Sequence, residues 1–506
     1  MNKGDIIELK IEDMLDDGRG FGRTEGLAVF VDGGVPGDLI HAQVTKVKKN
    51  SVEAKFLSIS EPSANRIEAE CPYFGECGGC TLQELSYDAQ LELKKNQVIN
   101  KLTRLGGVEN PKIAKVIGAD TLKYYRNKAT FAVGPHGEVG FLKAKSHYVM
   151  DVADCMLQTD PAMVCADALR TFLKNRLDNK GMTGKLSCIK QMIVKTAFST
   201  GEIMVAFESD KKEIPFVEDL VELIDAGIFF LSHDDDGEPL EDVLQYQLKS
   251  VNIICNNKCR NIAGLPTIHE EVITDEGRTL KFEISPQSFY QVNPEQMVKL
   301  YTAATDYAGL TGGETVLDLY CGVGTIGIFM ADKAERVIGI ETCKPAVLDA
   351  NRNSVINGII NTRYIAGRAE EELPGMMGLA KLYKYNEVNE LVEREPEIKL
   401  AKVDVAVVDP PRAGCDEALL NALVESEAKR IVYVSCDPGT LARDIKYLSE
   451  HGYEFNECTI VDQFPLTGHV ECVALLSNKY RKADEIVTVG IDAEEYYAIK
   501  ERPQSK

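Results

Sequence analysis

From about Phe282 onward, short apolar runs of strand type alternate with helical stretches, and this alternation limits the fold more than any other feature of the chain. The strand candidates are Thr315 to Leu319, Arg336 to Ile340, Val403 to Val408, Arg430 to Val434 and Glu471 to Leu476. Strands and helices in alternation predict a parallel-rich sheet with helices on both faces. Open sheets of that kind bind ligands at the carboxyl ends of their strands, so the residues that follow each run carry the functional information.

The first run leads into Val316-Leu317-Asp318-Leu319-Tyr320-Cys321-Gly322-Val323-Gly324-Thr325-Ile326-Gly327, and Glu341 ends the next strand. Glycines here let the backbone approach a ligand closely, and an acidic side chain at the second strand's end accepts hydrogen bonds from ribose hydroxyls. Gly322-x-Gly324-x-x-Gly327 also satisfies the dinucleotide fingerprint, so an NAD enzyme is the rival reading. Asp318, just ahead of the glycines, favours a cationic sulfonium such as S-adenosylmethionine over a pyrophosphate, which needs a helix N-terminus free of negative charge. Two further strand ends are polar: Asp409-Pro410-Pro411-Arg412 and Ser435-Cys436-Asp437-Pro438. A lone cysteine at a strand end is ordinarily a packed residue. Cys436, between polar neighbours at a predicted site edge, is a candidate nucleophile.

Upstream the pattern differs. Residues 1–60 alternate as short strands, with Gly18 to Gly22 read as a Gly-rich turn and Val35-Pro36-Gly37-Asp38 as another. Five short strands in such a length suggest a Greek-key barrel of the OB type, which is either an RNA-binding or a purely structural module. Cys71-x5-Cys77-x2-Cys80 follows, a spacing that suits zinc and an iron–sulfur cluster equally and needs a fourth ligand from elsewhere. A helix is predicted from Ser86 to Leu105, with Leu91, Val98, Leu102 and Leu105 on its apolar side and Lys94, Lys95, Lys101 and Arg104 exposed.

Charge and cysteine content bear on partners. The 506 residues carry 57 Lys and Arg against 79 Asp and Glu, a net charge of −22, which excludes a protein that coats nucleic acid or membrane through bulk positive charge. Two central stretches run the other way. Lys123 to His147 holds five basic residues against one acidic, interleaved with Tyr124, Tyr125, Phe131 and Phe141, and Arg170 to Lys195 holds seven against one. Basic and aromatic residues in alternation grip phosphates and stack bases, or else form a solvated strand face. No apolar run approaches the ~18 residues a membrane span needs, and the first residues lack a signal-peptide layout. A cytosolic protein is expected, its 14 cysteines reduced. Cys165, Cys188, Cys255 and Cys259 read as core residues, with Cys255-x3-Cys259 a possible metal pair.

Taken in order, Phe289-Tyr290-Gln291-Val292-Asn293, Asp409-Pro410-Pro411-Arg412, Ser435-Cys436-Asp437-Pro438 and Phe464-Pro465-Leu466-Thr467-Gly468-His469-Val470-Glu471 resemble the signatures of the RNA uracil-5-methyltransferase family. The first sixty residues resemble the TRAM domain that the family often carries, and the cysteine cluster resembles its iron–sulfur motif. The resemblance implies an N-terminal OB-like TRAM β-barrel (1–60), a mixed central RNA-binding domain (61–281) and a Rossmann-like class I methyltransferase domain (282–478). An insertion near 370–400 and an acidic tail (479–506) fall outside it. It further implies Cys436 as the thiolate that attacks carbon 6 of uracil and Glu471 as the base. Gln291, Tyr320, Glu341 and Asp409 would lie around S-adenosylmethionine, with Glu341 on the ribose, and Cys71, Cys77, Cys80 and Cys155 would ligate a 4Fe-4S cluster. His469 is given no role, and Thr325 is left out.

The chemistry accounts for these residue types. Carbon 5 of uracil is too weak a nucleophile to take a methyl group from a sulfonium until a thiolate has added at carbon 6, and a base must then remove the carbon 5 proton before the thiolate leaves. A base held within RNA structure must also be flipped or caught in a loop. The expected partner is RNA, 23S ribosomal RNA because TRAM-like and cluster motifs occur together, with no membrane and a monomeric enzyme. The alternatives are a transfer RNA substrate and, in another class, an iron–sulfur RNA-binding module whose methyltransferase fold is inactive.

Overall fold

A computed structural model describes residues 1–180, 188–234, 237–385 and 390–480. Apart from its first two residues, the predicted acidic tail lies outside the described residues.

The amino-terminal unit is a six-stranded sheet. Its strands are β1 (Ile6–Lys10), β2 (Asp13–Met14), β3 (Gly20–Thr24), β4 (Leu27–Asp32), β5 (Leu39–Val47) and β6 (Ser51–Glu61), in the order β1-β5-β6-β4-β3-β2. Period-two alternation turns Leu9, Val29, Val31, Ile40, Ala42 and Val44 into one small core. The stretch read as a Gly-rich turn is mostly β3. A Cβ on Gly22 would lie 2.2 Å from the Lys10 carbonyl oxygen and one on Gly20 2.6 Å from that of Gly33, so these glycines allow β3 to pass close over neighbouring backbone.

Next come α1 (Tyr87–Arg104), with Ser86 at its N-cap position, and β7 (Ile113–Ile117). The central sheet follows. It comprises β8 (Lys128–Val133), β9 (Val139–Leu142), β10 (Val149–Asp151), β11 (Ile189–Thr196), β12 (Glu202–Ser209), β13 (Gln247–Cys255) and β14 (Lys258–Gly264), in the order β10-β9-β8-β11-β12-β13-β14. Only β12 and β13 pair in parallel, and the crossover between them carries α3 (Val217–Phe229), which packs beside α2 (Asp160–Lys180) through Leu169, Leu220 and Ile224. A hairpin, β15 (Ile268–Ile273) and β16 (Thr279–Ile284), leads onward.

The carboxyl-terminal part contains α4 (Pro294–Ala308), β17 (Thr315–Leu319), α5 (Thr325–Met330), β18 (Arg336–Glu341), α6 (Lys344–Ile356), β19 (Thr362–Ala366) and α7 (Ala369–Met376). Then follow β20 (Leu382–Tyr385), β21 (Leu391–Arg394), β22 (Val405–Val408), α8 (Glu417–Glu425), β23 (Arg430–Ser435), α9 (Pro438–Glu450), β24 (Tyr453–Val461) and β25 (Glu471–Asn478). The sheet order is β19-β18-β17-β22-β23-β25-β24-β7. β17, β18, β19, β22 and β23 are parallel, while β25 runs antiparallel between β23 and β24. Helices cover both faces: Leu317, Ile338, Ala406 and Ile431 face one core, and Val316, Val337, Val405 and Val432 the other.

Three features depart from the sequence reading. The stretch 370–400 is only partly an excursion, since α7 is the crossover between β19 and β22 and buries Leu373 and Met376 in the sheet's core; the β20–β21 hairpin is what protrudes. The boundary near 281 is not a clean cut, because β7 is an edge strand of the carboxyl-terminal sheet and β15–β16 buries Phe282 in its core. Lys94 is not exposed: it is fully buried on the inner face of α1.

The sheet is also shaped by one ring. The Tyr364 phenol on β19 occupies the space that side chains on Gly324, Gly327 and Gly339 would need, with clearances to an added Cβ of 2.7, 2.9 and 2.3 Å. Gly339→Ala is expected to destabilise the protein by about 1–3 kcal/mol through overpacking of a core strand, read as a lower denaturant midpoint with unchanged slope.

Candidate active site

Chain geometry at the end of β17 is unusual. Tyr320 adopts a left-handed conformation (φ 65°), a strained state for a non-glycine residue that persists where surroundings enforce it. Here the Tyr320 and Cys321 amides both donate to the Ile340 carbonyl, at 3.0 and 3.2 Å. The three glycines that follow have different tasks. Gly324 and Gly327 clear room for Tyr364 and the Asp318 carboxylate, whereas a Cβ on Gly322 would meet nothing within 4 Å, so Gly322 alone leaves its backbone open to an approaching molecule. Glu341 closes the rim, its Oε2 accepting from the Gly322 amide at 3.2 Å and its Oε1 from the Cys343 amide at 2.8 Å. Asp318 lies beneath, fully buried, with Oδ2 accepting from the Gly327 amide at 2.9 Å and Oδ1 without a hydrogen-bond partner.

Gln291 reaches the same place from outside the sheet. Its carbonyl accepts from Asn127 Nδ2 at 2.9 Å and its Oε1 from Gln463 Nε2 at 3.4 Å. Tyr301 on α4 stands next to it and accepts a 3.3 Å bond from Thr325 Oγ1 at the start of α5. Asp409, half-buried, follows β22, and its amide donates to the Leu319 carbonyl at 3.2 Å. Asp409 and Glu341 thus lie close to Asp318, and Gln291 and Asp409 close to Tyr301, at the ends of β17, β18 and β22, whereas the Tyr320 ring, at the end of β17, turns toward Cys415 and Asp444.

Cys436 and Glu471 meet because of register. β23 and β25 pair antiparallel from Arg430 opposite Ser477 to Ser435 opposite Cys472; Cys436 follows the last paired residue of β23 and Glu471 precedes that of β25, so the two come side by side, near enough for the Glu471 charge to act on the thiol. Glu471 is the first residue of β25 and is buried; Cys436 is half-buried. Burial, with Glu471 and Asp409 nearby, pushes the Cys436 thiol up to about 11, and burial with Asp409 raises Glu471 well above the carboxylate range. Burial likewise lifts Asp318 and Asp409 to about 7. Arg412 is the cation that opposes these shifts at both Cys436 and Glu471. The site as it stands is an acidic cluster short of positive charge.

Arg412 also approaches His469, Nη2 to Nε2 at 3.5 Å. Burial and the Arg412 charge hold His469 down near 4, so it is a neutral imidazole at physiological pH. The Arg126 guanidinium stands 5.8 Å from the Phe464 ring centroid. The sequence assigns no site role to Arg412, His469 or Tyr301, whereas Asp318, an acid just ahead of the glycines, reads there as favouring a sulfonium.

A second constellation is built by the cysteines. Cys71, Cys77, Cys80 and Cys155 all line one cavity of about 90 Å³, together with Phe74 and Arg126. Burial raises the Cys80 thiol to about 11 and lifts Cys77 and Cys155 as well, with neighbouring cysteines adding to each of these three shifts. Among the described residues no three His, Cys, Asp or Glu side chains stand close enough to hold a single ion. Cys165, Cys188 and Cys255 are buried, but Cys259 is exposed on β14. It pairs with Ile254 while Cys255 pairs with Lys258, and strand alternation sends the two thiols to opposite faces, which removes the metal-pair reading.

The basic stretches are used unequally. Of the second, Arg170 and Lys195 are buried, the former on Asp151 and Asp167 and the latter on the Ser285 and Ser288 carbonyls; Lys174 and Arg176 pair with Asp151 and Asp219. Lys180 and Lys185 lie outside what is described of side chains. Arg170 and Lys195 thus serve the fold, while Lys174 and Lys190 stay at the surface, each paired with an acidic residue. The first keeps Lys123, Lys143 and Lys145 at the surface, each paired with an acidic residue, near exposed Tyr124 and Tyr148.

Comparison with known proteins agrees with this geometry. Residues 231–479 match the tRNA (uracil-5-)-methyltransferase family model and residues 2–57 the TRAM domain model. An uncharacterized RNA methyltransferase of Halalkalibacterium halodurans is 37% identical over 95% of this chain and 98% of its own length. Another, from Caldanaerobacter subterraneus subsp. tengcongensis, is 39% identical over 94% and 99%. The crystal structure of Pyrococcus abyssi tRNA (uracil-54, C5)-methyltransferase in complex with S-adenosyl-L-homocysteine superposes with a TM-score of 0.66 at 25% identity, covering 93% of this chain and all of that one. On the likeness of these relatives along nearly its whole length, the chain belongs to the S-adenosylmethionine-dependent RNA uracil-5-methyltransferase family and carries a TRAM domain at its amino end.

Proposed function

We propose that this enzyme methylates carbon 5 of a specific uridine in 23S ribosomal RNA, in the cytoplasm, with Cys436 as nucleophile and Glu471 as base. The observation that carries the reading is the register that sets Cys436 against Glu471 at neighbouring strand ends. The Cys436 thiolate adds to carbon 6 of the uracil ring and leaves carbon 5 electron-rich. Carbon 5 takes the methyl group from S-adenosylmethionine as the methyl–sulfur bond breaks, and neutral S-adenosylhomocysteine leaves. Glu471, acting in its ionised form, which Arg412 favours, then removes the remaining carbon 5 proton, and the bond from carbon 6 to sulfur breaks to regenerate the Cys436 thiolate. Arg412 eases the first step by stabilising the thiolate, and Asp318 and Asp409 favour a cation at the rim.

Gln291, Tyr320, Glu341 and Asp409 are the residues we assign to S-adenosylmethionine, with Glu341 at the ribose. The open backbone at Gly322 and the unpartnered Asp318 Oδ1 support that assignment. Cys71, Cys77, Cys80 and Cys155 are assigned to a 4Fe-4S cluster. A single zinc requires four ligands at about 2.3 Å from one centre, whereas these thiols surround a cavity with room for several water-sized atoms. The proposed reaction transfers no electrons, so the cluster would act as a staple. Likeness along nearly the whole chain to a tRNA (uracil-54, C5)-methyltransferase favours a second reading, a transfer RNA substrate with the same chemistry.

Mass-spectrometric mapping of 5-methyluridine in ribosomal and transfer RNA from a deletion strain decides between the two substrates. In that strain, complementation with Cys436→Ala is expected to leave the site unmodified, and persistence of the modified base would remove Cys436 from the mechanism. Carboxyl groups titrating near 7 attract a sulfonium only once ionised, so S-adenosylmethionine affinity is expected to rise from pH 6 to pH 8 as Asp318 and Asp409 lose protons. Calorimetry with S-adenosylhomocysteine, which lacks the cationic sulfur, is the control, and an equal pH response for both ligands contradicts the electrostatic account. Anaerobically purified protein is expected to be brown, with iron and acid-labile sulfide in equal amounts, and to lose that absorbance in Cys77→Ser; a colourless protein with one zinc speaks for the alternative metal.

A further inference from the structure

The buried face of α1 is unexpectedly polar. Tyr87, Gln90 and Lys94 recur at intervals of three and four residues, the spacing that puts side chains on one face of a helix, and on a helix held only by packing that face would be apolar. All three reach residues some 370 positions away, in the loop that leads to Glu471. Lys94 Nζ donates to Asp462 Oδ1 at 2.6 Å and to the Phe464 carbonyl at 3.1 Å. Tyr87 Oη donates to Asp462 Oδ2 at 2.9 Å, and Gln90 Oε1 accepts from the Leu466 amide at 3.1 Å. The helix thus contacts residues 462, 464 and 466 in turn. From the other side, Thr81 Oγ1 accepts from the Gly468 amide at 2.8 Å.

Lys94 and Asp462 are both fully buried. Such a pair gives up the hydration of two ions, and apolar replacements of similar volume are often no less stable, so its presence argues for control of conformation rather than for stability. The loop needs that control. Leu466 is held in a left-handed conformation (φ 66°), which endures only where neighbours over-determine it. His469 and Glu471 follow within five residues.

We propose that Lys94 is a positioning residue for methyl transfer: by holding Asp462 and the Phe464 carbonyl it fixes the 462–469 loop in the one conformation that presents Glu471 to the carbon 5 proton beside Cys436. The proposal rests on the roles given above to Cys436 and Glu471. It requires that loss of the Lys94 contact slow proton removal and elimination, the steps after Cys436 has joined the RNA, and leave substrate binding nearly unchanged.

The test uses the full-length enzyme, tritiated S-adenosylmethionine and total RNA from a deletion strain, with Lys94→Met and the charge-free double variant Lys94→Met/Asp462→Asn. The double variant leaves no unpaired buried charge, which keeps the experiment informative where the single variant is unstable. Expected are a thermal midpoint near the wild-type value for the double variant, dissociation constants for RNA and S-adenosylmethionine within twofold, kcat lower by tenfold or more with KM for RNA falling alongside it, and protein covalently linked to RNA accumulating on denaturing gels. A double variant that is folded and turns over at the wild-type rate overturns the proposal. Cys436→Ala and Glu471→Gln run in parallel separate the two failures. If Cys436→Ala still methylates, the underlying mechanism falls; if it is inactive and Glu471→Gln accumulates the linked species while the double variant behaves as wild type, only the role of Lys94 falls.

Discussion

One antiparallel strand in an otherwise mostly parallel sheet determines where the chemistry can occur. Parallel strands present their carboxyl ends on one edge, and on that edge lie Tyr320, Glu341, Asp409 and Cys436. β25 enters from the opposite direction, so its amino end, beginning at Glu471, arrives at the same edge. A parallel strand in that place would have carried Glu471 to the far side of the sheet, about 3.3 Å away for every residue of strand length. The insertion of β25 between β23 and β24 thus brings a buried carboxyl group to the same edge of the sheet as the thiol.

That placement has an electrostatic consequence. Asp318, Asp409, Glu471 and Cys436 share a poorly hydrated region, and burial holds the titration of all four above ordinary values, with repulsion from neighbouring acids adding to it at Asp318, Glu471 and Cys436. Arg412 is the compensating cation that acts on the last two. A site so arranged favours ligands that bring positive charge, which a methyl-bearing sulfonium does. The neutral His469 and the aromatic Phe464 beside Arg412 and Arg126 complete a wall on which charge is distributed sparingly.

The loop between β24 and β25 shows how remote parts of the chain support this region. Its backbone is held by α1, by Thr81 next to Cys80, and by Tyr125 Oη, which donates to the Pro465 carbonyl at 3.1 Å. Leu466 packs with Tyr125 and Leu157 in a small core that Cys80 and Cys155 adjoin. The cysteine cavity and the loop are therefore neighbours in space, and the amino-terminal half of the chain forms part of the catalytic half's support.

Much of the fold was legible because its signals are local. The five strand candidates of the carboxyl-terminal sheet fall on β17, β18, β22, β23 and β25, since short apolar runs separated by helices have few other solutions. Ser86 and Leu105 bracket α1 as periodicity required. Local signals also misled. A lysine on a helix among other lysines reads as solvated, and nothing near Lys94 announces Asp462; a run of basic residues reads as a nucleic-acid face, although Arg170 is buried against Asp151 and Asp167 and Lys195 against carbonyls some ninety residues away. The sequence by itself determined which residue types stand at the strand ends, because a strand and the turn after it are contiguous. Only the tertiary structure decided that Glu471 faces Cys436, that Tyr364 rather than a ligand requires Gly324, and that β7 joins a sheet it precedes by some two hundred residues. Those are matters of pairing and packing between distant segments, and no local propensity encodes them.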